Sequence, residues 1–350
     1  MAKQQDTDIT LGFAEKIESW KLRCKFFPSK VGGFPSWLNL ESLPAVSDLQ
    51  CKKCKKPLLF LCQIYAPIVS KEDCFHRTLF VFICKDGKCN SANDSSNLEV
   101  FRCQLPRSNK FYSFHPPEEK EEESDDPNVS LFTKICRICG CSGPKTCGHC
   151  KLVSYCSRDH QLLDWKDGHK LECNSKCLST SGRASKTVVF PEYEIDLEPE
   201  EIDPEVKEKN FPENGQQSEE EKLQNYNVDG GEYNEEELMK MANKETDQVF
   251  ASFRSRINHF PEQIVRYQMK GKPLFVSADS KPTSISNCEY CGAERVFEFQ
   301  IMPQMLVYLN VDSVNDSIDW GTIIVYTCAE SCSPKNTSYL KEICFKQDYT

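Results

Sequence analysis

Residues 51–67 read CKKCKKPLLFLCQIYAP, and residues 288–303 read CEYCGAERVFEFQIMP. In both, a Cys-x2-Cys knuckle leads into an apolar run. In both, a glutamine, Gln63 or Gln300, stands nine residues beyond the second cysteine. The likeness continues outward. TLFVFIC (Thr78 to Cys84) and TIIVYTC (Thr322 to Cys328) are β-branched and aromatic runs, hence strand candidates. Each ends in a cysteine with another just beyond, at Cys89 and Cys332. EVFRCQ (Glu99 to Gln104) and EICFKQ (Glu342 to Gln347) follow in the same order, a pattern that reads as an internal duplication. A knuckle plus a later cysteine pair at a strand end fits a zinc ribbon. This proposes Cys51, Cys54, Cys84 and Cys89 for one ion, and Cys288, Cys291, Cys328 and Cys332 for another. The competing reading is buried free thiols packing as small hydrophobes, which suits Cys24, Cys62, Cys74, Cys103 and Cys344 better than any ligand role.

Metal is favoured by the surroundings the sequence implies. The first twenty residues lack the basic start and apolar run of a secretory signal. The longest apolar stretch, Leu58 to Val69, is interrupted by Gln63 and Pro67 and is far short of a membrane span. The expected location is therefore cytoplasm and nucleus. There, 21 cysteines do not persist as disulfides, and zinc ligation is the leading explanation.

The chain has 350 residues, of which 39% are hydrophobic. At about 150 residues per domain this suggests roughly two domains. Charge divides it further. Residues 118–126 (EEKEEESDD) carry −6 and residues 192–237 carry −15, against −10 overall, so the remainder carries +11. Such acidic tracts read as solvated linkers, or as screens for a basic partner. The expected order is residues 1–115 as a β-rich region and 116–129 as an acidic linker. Next come a Cys/His block at 130–177, a largely disordered acidic linker at 178–234, and a helix with a further β-rich region at 235–350. The helix is expected from Glu235 to about Ile257.

The central block holds Cys136-x2-Cys139, Cys147-x2-Cys150, Cys156-x3-His160 and His169-x3-Cys173. A Cys-x3-His step places two ligands one helical turn apart on one face. Four pairs make eight ligands, enough for two tetrahedral zinc ions, with sequential and interleaved pairing both open. So short a block cannot bury a sufficient core alone. Each structural zinc contributes on the order of 10 kcal/mol, so metal must fold it.

The order of pairs, with Tyr155 before Cys156, Gln161 after His160, then Trp165 and His169-Lys170, resembles a MYND zinc finger. The resemblance implies interleaved ligands: Cys136, Cys139, Cys156 and His160 for one zinc, and Cys147, Cys150, His169 and Cys173 for the other, with Cys141 and Cys177 spare. More widely, LGFAE (11–15), SKVGGFPSWL (29–38), FHR (75–77), FPEYEI (190–195), PEQIVRY (261–267), FEFQIMPQML (297–306) and DWGTIIVYT (319–327) resemble the programmed cell death protein 2 family. That resemblance implies an α+β fold. A β-rich duplicated unit would be split between the N- and C-terminal regions, interrupted by the small MYND finger and acidic linkers. It also implies an adaptor that chaperones a basic small-subunit ribosomal protein in ribosome biogenesis, with links to cell proliferation, survival and apoptosis. The alternative is a nuclear, DNA-associated MYND adaptor recruiting transcriptional or apoptosis regulators through proline-rich peptides.

No catalytic motif stands out, and an enzyme is not expected. Asn258-His259 lacks the companions a methyltransferase would need. Cys74 and His76 do not form a convincing nucleophile pair, and Lys30-Val31-Gly32-Gly33 lacks the Lys-Ser/Thr step of a phosphate loop. With two zinc ions bound, the central block carries only about +2, a weak footprint for direct DNA binding.

Overall fold

Runs dense in β-branched and aromatic residues suit a pleated, buried surface, and those singled out above are strands in the computed structural model. It describes residues 8–121, 126–175, 188–201, 248–311 and 317–349. In chain order the strands begin with β1 (Thr10–Glu15), β2 (Lys30–Val31), β3 (Leu59–Tyr65), β4 (His76–Ile83) and β5 (Leu98–Leu105). The central block follows with β6 (Lys145–Thr146), β7 (Ser154–Tyr155), α1 (Arg158–Asp164) and α2 (Lys170–Ser175). Then come β8 (Tyr193–Pro199), α3 (Gln248–Asn258), β9 (Val265–Tyr267), β10 (Arg295–Ile301), β11 (Thr322–Cys328) and β12 (Tyr339–Gln347). Among the described residues the fold is β-rich with few helices.

Ten strands close into a barrel in the order β1-β8-β2-β3-β4-β5-β12-β11-β10-β9, with β9 returning to β1. The N-terminal and C-terminal strands are thus two arcs of one barrel, joined at the β5–β12 and β1–β9 seams. Each pairing from β3 round to β10 is antiparallel. Five such steps leave β3 and β10 pointing in opposite directions, so the knuckles that precede them lie at opposite rims.

Two buried ion-pair sets cross between the arcs. Arg77 of β4 meets Glu298 of β10, which also accepts from Tyr267 Oη at 3.1 Å and from Thr327. Arg102 Nε of β5 donates to Glu342 of β12 at 2.7 Å, and Arg295 Nε donates to the same carboxylate at 3.0 Å. Such pairs are weak evidence for stability but costly to break, because the survivor is a buried, uncompensated charge.

Three expectations need correction. Residues 178–234 are not simply a linker, because β8 fills the gap between β1 and β2. Its sequence, YEIDLEP, alternates Tyr193, Ile195 and Leu197 with Glu194, Asp196 and Glu198. That is the period of a strand with one wet face, masked in the reading by the density of charge. Residues 116–129 are also not wholly a free linker: Asp126 bonds the buried Lys25 at 2.8 Å and Arg23 at 3.2 Å. Thirdly, Val81 pairs with Val100 while Val325 pairs with Cys344. The structure therefore matches Val100 to Cys344, one residue away from the sequence match of EVFRCQ to EICFKQ. Of the helix expected from Glu235, α3 supplies the last part, burying Phe253 and Ile257 against Val276 and Met302. Residues 235–247 lie outside the described residues.

Candidate metal centres

Four groups of ligand atoms converge, each with all its members within 4.8 Å of one another. They are Cys51, Cys54, Cys84 and Cys89; Cys136, Cys139, Cys156 and His160; Cys147, Cys150, His169 and Cys173; and Cys288, Cys291, Cys328 and Cys332. Zn–S and Zn–N bonds of about 2.3 and 2.0–2.1 Å at tetrahedral angles put neighbouring sulfurs about 3.8 Å apart, and sulfur about 3.6 Å from nitrogen. The sulfur pairs measure 3.7 Å for Cys54–Cys84, 3.8 Å for Cys139–Cys156, 3.9 Å for Cys147–Cys173 and 3.7 Å for Cys288–Cys332. His160 presents Nδ1 to Cys136 at 3.5 Å, whereas His169 presents Nε2 to Cys150 at 3.7 Å. The donor sets therefore fit zinc in size and chemistry.

Their electrostatics agree. Thiols this close cannot all ionise unaided. Hydrogen bonds with Cys139 and Cys156 hold Cys136 far below the ordinary thiol range, and contacts with Cys136 and Cys139 push Cys156 far above it. Burial opposes ionisation of Cys147, yet His169 and the Cys150 and His149 amides bring it down to about 6. A divalent cation removes this conflict by stabilising every thiolate at once.

Local sequence explains the finger's geometry. Ser157 caps α1 by accepting from the His160 amide, which fixes the first turn beneath His160. Gly168 at φ +137°, open to glycine and strained for other residues, bends the chain so that His169 just before α2 and Cys173 within it stand about one helical turn apart. Tyr155 donates to Asp164 at 2.6 Å, and Arg137 bridges Asp164 and Glu172. His149 Nδ1 lies 3.2 Å from Cys173 Sγ, a contact the sequence reading missed.

The finger is built into the barrel. Trp37 is buried and donates Nε1–H to the Gly140 carbonyl at 2.8 Å. Phe34 lies so close to Gly140 that an added Cβ would stand 2.7 Å from its ring. Cys136, Cys139 and Cys156 share one apolar cluster with Trp37, Leu49, Leu58 and Phe80. The turn that delivers Phe34 and Trp37 needs its glycines. Gly32 sits at φ +64°, and a Cβ there would lie 1.9 Å from the Pro191 carbonyl oxygen. Lys30 is buried, donating to the Phe34 carbonyl at 2.9 Å and pairing with Glu192. The Lys30–Gly33 stretch thus braces β8 and the finger.

The other residues weighed above have separate partners. Cys74 Sγ faces the Ser331 carbonyl at 3.6 Å, while His76 Nδ1 meets Tyr65 Oη at 3.0 Å and its ring stacks on Phe27 at 4.1 Å. Cys141 bonds the Cys139 carbonyl and stays outside the ligand groups. Cys177 lies outside the described residues, and Asn258 and His259 lie at and just past the end of α3.

A closed β-barrel with cysteine knuckles at both rims, clasping an interleaved Cys/His module, defines a zinc-finger protein of the MYND type. The chain belongs to the programmed cell death protein 2 family. Profiles described as "Programmed cell death protein 2, N-terminal domain" and "Programmed cell death protein 2, C-terminal putative domain" match residues 8–119 and 247–348, and "MYND finger" matches residues 136–173. The chain is 44% identical to Programmed cell death protein 2 of Mus musculus, across 100% of this chain and 99% of that one. It is 27% identical to Programmed cell death protein 2-like of Homo sapiens, across 91% and 90%. It is also 24% identical to "Probable 20S rRNA accumulation protein 4" of Schizosaccharomyces pombe, across 95% and 94%. No solved structure matches it. MYND fingers bind zinc and mediate protein interactions. Among the described residues, no helix is long and apolar enough to cross a membrane.

Proposed function

We propose that this chain is a four-zinc binding protein that chaperones a basic small-subunit ribosomal protein during ribosome assembly, working in the cytoplasm and nucleus. One observation carries the reading: the near full-length likeness to a Schizosaccharomyces pombe protein whose name concerns 20S rRNA accumulation. Charge supports a basic client. Glu15 and Glu194 stand directly opposite each other on β1 and β8, with Asp196 and Glu198 further along the same wall. Burial, then Asp196 and Glu15, push the Glu194 carboxyl above its ordinary range against a smaller opposing pull from Lys21. Like charges in such a pair destabilise a sheet, and a cationic partner would relieve them.

The split unit is proposed to be a duplication. Lys30 pairs with Gln63, and Arg266 with Gln300. Each glutamine is buried and clips a neighbouring loop by its backbone: Gln63 accepts from Ser36 N at 2.9 Å, and Gln300 accepts from Leu274 N at 2.7 Å. Each knuckle is followed by a bulge at the same distance, at Phe60/Cys62 and Phe297/Phe299. The one-residue offset at the third strand is the exception.

Affinity capture of the full chain with mass spectrometry tests the chaperone reading. A small-subunit ribosomal protein enriched near one-to-one is expected; its absence sinks the proposal. A second docking surface is favoured by the finger's outer face, where Leu162, Leu163, Trp165 and Leu171 are 47%, 38%, 37% and 77% exposed. Because the finger shares the barrel's core, point changes on this face separate the two surfaces, whereas deletion of residues 130–177 would disturb both.

A further inference from the structure

The two barrel clusters occupy equivalent places at opposite rims, yet only the C-terminal one has an exposed ligand. The base of the N-terminal knuckle adjoins the finger: Leu49, Pro57 and Leu58 line a small cavity with Cys139, Cys141 and Cys156. Cys51, Cys84 and Cys89 belong to the main apolar cluster. At the other rim, Cys288 and Cys328 lie outside that cluster, and Cys291 is exposed. Every ligand of the other three groups is buried or half-buried. The tip beside Cys291 is bare, since a Cβ on Gly292 would meet nothing within 4 Å.

Within this cluster the four sulfurs are unequal. Cys332 is gripped from the opposite arc: Arg102 donates to its carbonyl at 3.0 Å and approaches its sulfur at 3.8 Å. Gln104 and Lys71 hold the adjoining Ser331 carbonyl at 2.9 and 3.1 Å. Cys291 is held only from within its own knuckle and cluster, by the Ala293 amide and the other sulfurs, and its sulfur lies 3.5 Å from that of Cys328.

We infer that the C-terminal knuckle is an oxidation-sensitive modification site, with Cys291 the attacking thiolate, Cys328 the resolving thiolate and a small hydroperoxide the oxidant. A zinc ion held here would keep both sulfurs as thiolates, so access decides between them, and Cys291 is exposed where Cys328 is buried. The Cys291 sulfur attacks the peroxide: an S–O bond forms, the O–O bond breaks, and with hydrogen peroxide one oxygen leaves as water after taking a proton. Cys328 then attacks the sulfenic sulfur, forming S–S and expelling hydroxide, which a second proton converts to water. Two thiolates lose two electrons and the peroxide gains them. A zinc ion held by this cluster would thereby lose two of its four ligands and be released.

The inference rests on zinc occupying all four clusters, and the test separates the two. Zinc per chain is measured first. The chain is then titrated with hydrogen peroxide, with a metallochromic indicator for released zinc and peptide mapping for oxidised cysteines. The expected result is four zinc ions at the start and one released first, with Cys291 and Cys328 joined while the other clusters remain reduced. Cys291→Ser should lack that early step; if this variant fails to fold, mapping of the unaltered chain decides. Fewer than four ions at the start overturns the occupancy reading and this inference with it. Four at the start, with first release from the finger or the N-terminal knuckle, or from all clusters together, overturns the inference alone.

Discussion

Finger and barrel use the same ligands for different ends. In the finger, eight ligands hold a segment whose regular structure is two two-residue strands and two short helices. Too little apolar surface is available there for folding without metal. In the barrel, ten strands satisfy one another's backbone groups in a closed ring, and β4 is buried along its whole length. There the cysteine clusters pin the starts and ends of hairpins rather than create the core. The same donor set is thus a folding nucleus in one place and a fastener in the other. Because Trp37 and Phe34 weld the two regions together, losing the nucleus should reach the barrel as well.

The largest effect should come from Cys156→Ser. Removing one finger ligand forfeits much of a metal contribution on the order of 10 kcal/mol, and calorimetry should show the barrel transition shifting down as zinc content falls. An unchanged barrel transition would mean the finger is an independent appendage. Trp37→Ala comes next, at about 3–5 kcal/mol. It should also uncouple the regions, replacing one thermal transition by two.

Glu298→Gln tests the barrel alone. Burial opposes ionisation of Glu298, but Arg77 overrides it and holds the carboxyl below its ordinary range. A depressed carboxylate contributes stability in full above its unfolded value and loses it as pH falls through the folded value. The variant should therefore be about 3–5 kcal/mol less stable near neutrality, because Arg77 is left buried and unpaired. Its deficit in urea unfolding should shrink as pH drops through the carboxylate range. A deficit independent of pH would place the cause in packing. Smaller still, Gln63→Ala and Gln300→Ala should each cost about 1–3 kcal/mol by leaving loop groups unpaired. Matching losses would support the duplicated plan. Leu171→Ala should change stability by no more than about 0.5 kcal/mol, while weakening capture of any partner that docks on the finger.

Much of this could be read from the chain because knuckle spacing and β-branched runs are local signals. Cys54 to Gln63 and Cys291 to Gln300 announced both hairpins, and the finger's pairs announced themselves by spacing. β8 went unread because its Tyr-Glu-Ile-Asp-Leu-Glu alternation sits inside a tract whose net charge suggested a linker. The hold of Trp37 on Gly140 spans 103 positions and leaves no local trace. Nor could spacing reveal that the finger would pack beside the base of one knuckle while its counterpart keeps one exposed ligand, Cys291.

Closure of the ring at β1–β9 and β5–β12 has a consequence for synthesis. The strands up to β5 emerge from the ribosome long before residues 339–342, which must zip onto residues 100–103. At about 5–20 residues per second, the wait is on the order of tens of seconds. Throughout it the nascent sheet shows an unpaired edge at β5, and until β8 is made a second one at β2, the kind of surface that invites aggregation. A chain built in this way is vulnerable during its own translation, and the finger, made in the interval, is the first element available to shelter one rim before the ring can shut.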